Sequence, residues 1–214
     1  MIRAYDKLYL DCARTVLARM FDFAVYDLKI PLDDFFDLFL QSGIAVAFAR
    51  GDSRCLAGTS GVELAYQVLE KTRPDAIHVT PNYAQNRSPE YWAGWSLAYY
   101  QWYTGLSFAE IKSFITLHEI VQMYSPYHEM DVQHFVDALN ARYRLMYPDI
   151  KLKALRERVG ITQQQLADFS EVPKRTIQQY EQRQKQINKA QGETLFRLAQ
   201  VLCCKVEDLL ERVA

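Results

Sequence analysis

Several features of membrane and secreted proteins are missing from this sequence. No stretch approaches the roughly 20 uncharged apolar residues that a membrane-spanning helix needs. The first residues include Arg3, Asp6 and Lys7 instead of an apolar signal segment. A C-x-x-C pair is typical of a disulfide or zinc framework, and the 4 cysteines form none. We therefore expect a cytoplasmic protein with reduced, mostly buried thiols.

Patterns that carry common catalytic chemistry are also missing. The run 58–61 (GTSG) lacks the G-x-S-x-G spacing of an exposed nucleophile, and Gln122 stands where the zinc motif H-E-x-x-H, here starting at His118, needs its second histidine. Two groups of residues have metal-binding side chains. The first group, Asp33, Asp34 and Asp37, is typical of a solvated helix face. In the second, which comprises His128, Glu129, Asp131 and His134, the two histidines are six residues apart and would lie on different helix faces unless a loop intervenes. We expect no enzyme, no cofactor and no metal site.

Charge and aromatic residues divide the chain into two parts. Residues 1–149 carry 13 Lys/Arg and 18 Asp/Glu, a net charge of −5, whereas residues 150–214 carry 12 and 8, a net charge of +4. Of the 28 aromatic residues, only Phe169, Tyr180 and Phe196 lie beyond residue 150. Two domains with different roles, 1–149 and 150–214, explain this division most simply.

The N-terminal part has the apolar periodicity of helices. Glycine and proline are absent from residues 2–28, whose apolar residues repeat at helical spacing. Further helices are predicted from Leu32 to a stop at 42–43, from Val62 to Lys71 behind a Ser60 cap, from Ser107 past Leu117, and from Val132 to Met146 before Pro148. The segment 44–61 is interpreted as a helix followed by a loop. Residues 73–87 are interpreted as a loop with a short extended piece at 76–80.

The segment 88–105 is the most distinctive of these helices. Ser88 is a suitable N-cap, Pro89 suits the first helical position and Gly105 can end the helix. Its large aromatic residues fall on one stripe: Trp92, Trp95, Tyr99 and Trp102. A stripe of this kind usually belongs to a domain core, but it is also a candidate effector or partner surface.

The spacing becomes short and regular from Lys151. One helix is predicted to end at Gly160. Thr162 and Gln165 then form a capping box for the next helix, which continues to Phe169. A turn at 170–172 leads into a third helix from about residue 173 to 182. Buried Val172 and Ile177 would hold the second and third helices together, which is helix-turn-helix geometry.

The motifs of this region resemble a known family. The pattern L-x-x-L-R-x-x-x-G-I-T-Q-x-x-L-A begins at Leu152, V-x-x-x-T-I-x-x-Y-E begins at Val172, and L-x-x-L-A-x-x-L and V-E-D-L-L follow. Residues 150–212 therefore resemble the five-helix DNA-binding domain of the lambda-repressor/Cro (XRE-type) family. The expected fold class is all-α, with an N-terminal helical domain and this domain at the C-terminus.

The resemblance implies a set of DNA contacts. It places Gln163 on a phosphate and puts base-reading side chains on the third helix at Lys174, Arg175 and Gln179. Backbone contacts are expected from a larger set: Thr176, Gln178, Arg183, Lys185, Asn188 and Lys189. Asn188 is also expected to cap the fourth helix. The chain departs from the family at Glu171, Arg183 and Cys203, where glycine is frequent, and at Pro173, where serine or threonine is frequent.

Two functions agree with these expectations. The first is a sequence-specific transcription regulator, a repressor, that binds double-stranded DNA and whose N-terminal domain forms a homodimer or binds a small-molecule effector. The alternative is an antitoxin-like autorepressor whose N-terminal domain binds a partner protein.

Overall fold

A computed structural model of the protein describes residues 3–75, 79–82, 87–147 and 150–211. These residues form helices joined by turns and contain no β-strand, which confirms the all-α fold class. Within these ranges no helix is both long enough and apolar enough to cross a bilayer. The chain divides into two compact units, Met1–Arg142 and Tyr143–Ala214.

The N-terminal unit is built around its first helix, which packs along two later ones. In chain order the helices are α1 (Leu10–Tyr26), α2 (Leu32–Gln41), α3 (Ile44–Ala49), α4 (Ser53–Leu56), α5 (Gly61–Thr72), α6 (Pro89–Thr104), α7 (Phe108–Lys112), α8 (Leu117–Gln122), α9 (Tyr124–Tyr127) and α10 (Val132–Met146). Helices α5 and α6 are the main partners of α1. Burial of their apolar faces is the largest favourable contribution to folding of this unit.

Small residues allow α1 and α6 to approach closely. A Cβ atom at Gly94 of α6 would lie 2.7 Å from the Cα of Ala18 and 2.8 Å from the carbonyl oxygen of Leu17 in α1. Ala93 and Ala98 of α6 are fully buried beside this contact. Gly94 is therefore a point of very close approach between the two helices.

Most of the predicted helix ends are confirmed. Ser60 forms a capping box with Glu63, and Ser88 caps α6, which ends at Gly105 in the left-handed conformation. The segment 44–61 holds two short helices, so the interpretation as one helix and a loop is only partly right. The extended piece expected at 76–80 falls partly outside the described residues, and the stop at Pro148 falls wholly outside them.

Two predicted helices have the wrong bounds. The first long helix begins only at Leu10, after a 3-10 turn that Asp6 caps. The helix that starts after Ser107 ends at Lys112 and does not continue past Leu117. The reason is a second capping box, in which Thr116 accepts a hydrogen bond from the Glu119 backbone and opens α8.

Two of the three acidic residues of α2 have structural partners. Asp33 accepts hydrogen bonds from the backbone N–H groups of Leu117 and His118, so it caps α8, and Asp37 forms an ion pair with Lys112. In the described ranges no three His, Cys, Asp or Glu side chains come together as a metal site.

All four cysteines are free thiols, and none of them is buried. Cys12 and Cys203 are exposed, while Cys55 and Cys204 are half-buried. The prediction of mostly buried thiols is therefore wrong.

The C-terminal unit has its own apolar core. Its helices are α11 (Lys151–Val159), α12 (Gln163–Ser170), α13 (Lys174–Glu181), α14 (Gly192–Val201) and α15 (Val206–Leu209), with a 3-10 turn at Ile187–Lys189 between α13 and α14. Residues from every one of these helices join one buried cluster. The five-helix arrangement expected for residues 150–212 is therefore present.

Candidate nucleic-acid interface

The corner between α11 and α12 is fixed by local hydrogen bonds. Gly160 ends α11 in the left-handed conformation, with φ of 77°. The hydroxyl oxygen of Thr162 accepts from the Gln165 backbone at 3.2 Å, and Oε1 of Gln165 accepts from the Thr162 backbone at 2.9 Å. Both ends of the capping box are thus satisfied, as predicted, and the start of α12 is set by the sequence itself.

The turn between α12 and α13 is equally well defined. Glu171 adopts the left-handed conformation there, and the Ser170 hydroxyl donates to the carbonyl oxygen of Leu166 at 2.6 Å. Val172 and Ile177 are buried, as predicted, and both belong to the core of the unit. Together these contacts hold α13 at a fixed angle to α12.

Three of the four positions where the chain departs from the family pattern share a backbone conformation. Glu171, Arg183 and Cys203, which stand where the family often has glycine, all have positive φ, at 55°, 55° and 49°. Glycine adopts this conformation at no steric cost, whereas a residue with a Cβ atom does so at a cost of roughly 1–2 kcal/mol. The fold is therefore kept here with a local conformational cost at each of these positions.

A buried ion pair fixes α13 against α11. Nε and Nη2 of Arg156 donate to the two carboxylate oxygens of Glu181 at 2.7 and 3.0 Å, and the Gln163 amide donates to Oε2 of Glu181 at 2.7 Å. Arg156 also donates to the carbonyl oxygen of Ile161 at 2.9 Å. The hydrogen bond to Glu181 raises the pKa of Arg156 above its ordinary value. Three helices thus meet at one carboxylate.

The sequence carries a signal for this buried pair. Arg156 follows Leu152 by one helical turn, and Glu181 follows Ile177 by the same interval. Leu152 and Ile177 are completely buried, so residues one turn later project toward the same core. Opposite charges at two such positions indicate a buried pair.

The candidate DNA-contacting residues fall into an exposed and a half-buried group. The exposed group comprises Lys174, Arg175, Arg183, Lys185 and Lys189, and the half-buried group comprises Gln163, Thr176, Gln178, Gln179 and Asn188. Within the described part of the chain, no member of the exposed group forms an ion pair. Five positive charges are therefore available to an anionic partner.

The positive side chains after α13 border two adjoining hollows in the surface. Thr176, Lys185 and Lys189 line one of them, while Arg183, Lys185 and Asn188 line the other. Because Lys185 borders both hollows, their basic side chains adjoin. Acidic side chains also line them: Glu171 and Glu193, which pair with Arg197, in the first and Glu211 in the second. The Nζ atom of Lys185 also lies 5.8 Å from the centre of the Tyr180 ring, and this contact orients the lysine side chain.

Several polar candidates already have partners inside the protein. Gln163 is hydrogen-bonded to Glu181, and its Oε1 accepts from the Gln178 amide at 3.4 Å. Asn188 binds the backbone of Glu211 with both ends of its amide group. The prediction that Asn188 caps the fourth helix is wrong, because α14 begins at Gly192 and its N-cap makes no side-chain hydrogen bond.

The aromatic stripe of the N-terminal unit is split between two environments. Trp102 is buried, and its indole N–H donates to the carbonyl oxygen of Tyr5 at 2.8 Å. Trp92 and Trp95 are half-buried and line a cavity of about 440 Å³. Tyr99 is half-buried, with its ring 5.7 Å from that of Trp102. The interpretation as core therefore holds for Trp102, and the first two tryptophans are accessible from a cavity.

Comparison with known proteins recognises the C-terminal unit alone. No curated protein and no solved structure matches the chain. Among family models, one described as helix-turn-helix matches residues 152–209. The matched range coincides with the helices that hold the corner, the buried ion pair and the exposed basic side chains. Residues 152–209 are thus similar to helix-turn-helix domains of the XRE type.

Proposed function

We propose that the protein is a sequence-specific transcriptional repressor that inserts α13 into the DNA major groove. The observation that carries this proposal is the exposed basic group that begins with Lys174 and Arg175 on α13. These side chains stand on a helix whose position is fixed by a buried ion pair and a capped corner. A rigid helix with exposed basic side chains suits the major groove, which is wide enough to admit one helix.

The side chains of α13 have the chemistry that reading base edges requires. Arg175 can donate two hydrogen bonds to a guanine edge, and Gln179 can pair with an adenine edge. These residues are separated by one helical turn, so they lie on the same face of α13. Each good pair of this type contributes about 1–3 kcal/mol of discrimination between bases.

The remaining basic residues are suited to phosphates. Arg183, Lys185 and Lys189 follow α13 in the turn and the 3-10 segment, where long side chains can reach the DNA backbone. Contacts of this kind fix the position of the protein on the duplex and contribute affinity that does not depend on sequence.

In our proposal the acidic N-terminal unit makes the protein a homodimer. Two copies of α13 related by a two-fold axis would then read two half-sites. A dimer bound across a promoter would block transcription by occupying the DNA, which needs no catalytic activity.

The test is selection of binding sites from random duplex DNA with the full-length protein. We expect an enriched sequence with two inverted half-sites. The double variant Lys174→Ala/Arg175→Ala should enrich no sequence, whereas Lys153→Ala/Arg158→Ala, which removes the same charge from exposed positions of α11, should enrich the same site as the unmodified protein. The proposal fails if the unmodified protein enriches no sequence, or if both double variants behave alike.

A further inference from the structure

The cavity beside α6 has walls made mostly of aromatic rings. Trp92 and Trp95 of α6 contribute to it, and so do Tyr124 and His128, whose rings stack with centroids 4.1 Å apart. The Trp92 ring meets the Tyr124 ring edge to face, with centroids 5.8 Å apart. The volume of about 440 Å³ lies within the range of roughly 300–1,000 Å³ that is usual for small-molecule sites. Flat, apolar walls of this kind favour a planar ring.

One positively charged side chain in the cavity wall has no polar partner. Arg14 of α1 lies over the Trp95 ring. Its Cζ atom is 3.1 Å from the centre of that ring and 4.9 Å from the centre of the Tyr99 ring. Its Nε and Nη2 atoms are shielded from water and have no hydrogen-bond acceptor. Nη1 is not shielded in this way, so it is the atom through which the guanidinium group can meet a molecule in the cavity. Within the described residues Arg14 forms no ion pair.

The charge of Arg14 is therefore incompletely compensated. Burial lowers the pKa of its guanidinium group to about 10, although Asp11 and Tyr99 act in the opposite direction, and the group stays charged at neutral pH. The aromatic rings compensate part of the lost hydration, but they supply no acceptor for the N–H groups. A buried donor without an acceptor is uncommon in folded proteins and indicates a missing partner.

A second polar group of the wall is also unsatisfied. Ser96 of α6 is 1% exposed and lines the cavity, and its hydroxyl has no hydrogen-bond partner. The other charged groups on the wall are Arg87 and Asp131, whose charges cancel, and Asp131 accepts a hydrogen bond from the Gln133 backbone at 2.7 Å. The net charge of the wall is thus about that of Arg14, which matches one negative charge.

We propose that this cavity binds a small aromatic carboxylate, with the carboxylate on Nη1 of Arg14 and the ring between Trp92, Trp95 and Tyr124. A monocarboxylate matches the single uncompensated charge, whereas the carboxylate of Asp131 would oppose a doubly charged phosphate. The guanidinium group of arginine is a suitable donor to carboxylate oxygens. This site does not depend on DNA binding by α13, so the two proposals can fail separately.

The first test measures binding to the full-length protein by titration calorimetry. Benzoate, phenylacetate and indole-3-acetate serve as probes, and the neutral amide of each acid serves as its control, because it keeps the ring and removes the charge. We expect at least one acid to bind with one-to-one stoichiometry and its amide to bind at least about tenfold more weakly. If no acid binds at millimolar concentration, or if the amides bind as well as the acids, the proposal is overturned.

The second test uses variants of two similar arginines. Arg14→Gln should weaken binding of the acid at least about tenfold, while Arg3→Gln should leave it unchanged. Arg3 is the matched control because it also lies over α6 rings, 3.8 Å from the centre of Tyr103 and 4.8 Å from that of Trp102, but it does not line the cavity. Equal loss in both variants would contradict the site.

The third test separates a binding role of Arg14 from a structural one. Arg14→Met keeps a long side chain against Trp95 and removes the charge that lacks an acceptor. For a binding residue we expect the ligand-free variant to melt about 2–4 °C above the unmodified protein, because an unsatisfied buried charge has been removed. A clearly lower melting temperature would show that Arg14 mainly stabilises the fold, and it would overturn the assignment.

Discussion

The buried pair of Arg156 and Glu181 should determine whether α13 is held in place. In Arg156→Met the side-chain volume is largely kept, but the carboxylate of Glu181, whose side chain is only 3% exposed, loses both hydrogen bonds from the guanidinium group. The Gln163 amide remains as its side-chain donor. Leaving one charge of a buried pair without its partner costs about 3–5 kcal/mol.

This loss is large compared with the stability of so small a unit. At about 0.05–0.15 kcal/mol per residue, a unit of this size has roughly 4–11 kcal/mol of total stability. We therefore expect Arg156→Met to leave the C-terminal unit marginally folded. The double variant Arg156→Met/Glu181→Leu removes both charges, so it should recover most of the loss.

Hydrogen exchange measured by mass spectrometry on the full-length protein is the appropriate assay. Tryptophan fluorescence would miss the effect, because all 3 tryptophans lie in the N-terminal unit. A loss of 3 kcal/mol corresponds to exchange that is about 100-fold faster in peptides from α11 to α13. Peptides from α1 and α6 serve as the internal reference.

The control for this experiment is Arg158→Met, two residues away on the same helix and exposed. It should leave exchange in α13 unchanged. The reasoning is refuted if Arg156→Met exchanges like this control, or if the double variant is less stable than Arg156→Met alone.

Three further predictions concern packing, backbone conformation and assembly. Gly94→Ala should destabilise the N-terminal unit by about 1–3 kcal/mol in a denaturation followed by tryptophan fluorescence, because its Cβ atom would meet the backbone of Ala18; a variant as stable as the unmodified protein would contradict the close approach. Cys203→Gly should stabilise the C-terminal unit by about 1 kcal/mol, because glycine adopts the positive φ at this exposed position without steric cost. Urea denaturation of the isolated unit, followed by circular dichroism, measures this change. A variant of lower stability would show that the conformation has little cost. In sedimentation experiments the full-length protein should be a dimer and the fragment 150–214 a monomer; a stable dimer of the fragment would show that residues 1–149 do not set the oligomeric state.

Helix ends could be predicted from the sequence wherever one short motif determined them. The serine and threonine caps at Ser60, Ser88 and Thr162 each bind a backbone N–H within three residues, so no distant contact is needed. The error after Ser107 has the same origin. Thr116 and Glu119 repeat the capping pattern inside an apolar run, and the run was interpreted as one continuous helix.

Features that depend on distant residues were harder to predict. The spacing of the aromatic stripe is the same whether its residues lie in a core or line a cavity. Which side of α6 is covered depends on contacts with distant helices, such as the packing of Gly94 on α1. Asn188 was expected to cap a helix because of its position in the sequence. Its amide instead binds Glu211, which lies 23 residues later in the chain. The unpaired state of Arg14 likewise depends on what the fold places around it.

The most direct test of the account compares Arg175→Ala and Lys189→Ala on the selected DNA site and on random DNA over a range of salt concentrations. Arg175→Ala should lose about 1–3 kcal/mol on the selected site and much less on random DNA, because the arginine reads a base. Lys189→Ala should lose the same amount on both DNAs and lower the salt slope by about one unit, because the lysine contacts a phosphate. Equal losses on the two DNAs for Arg175→Ala would contradict the claim that α13 reads the sequence.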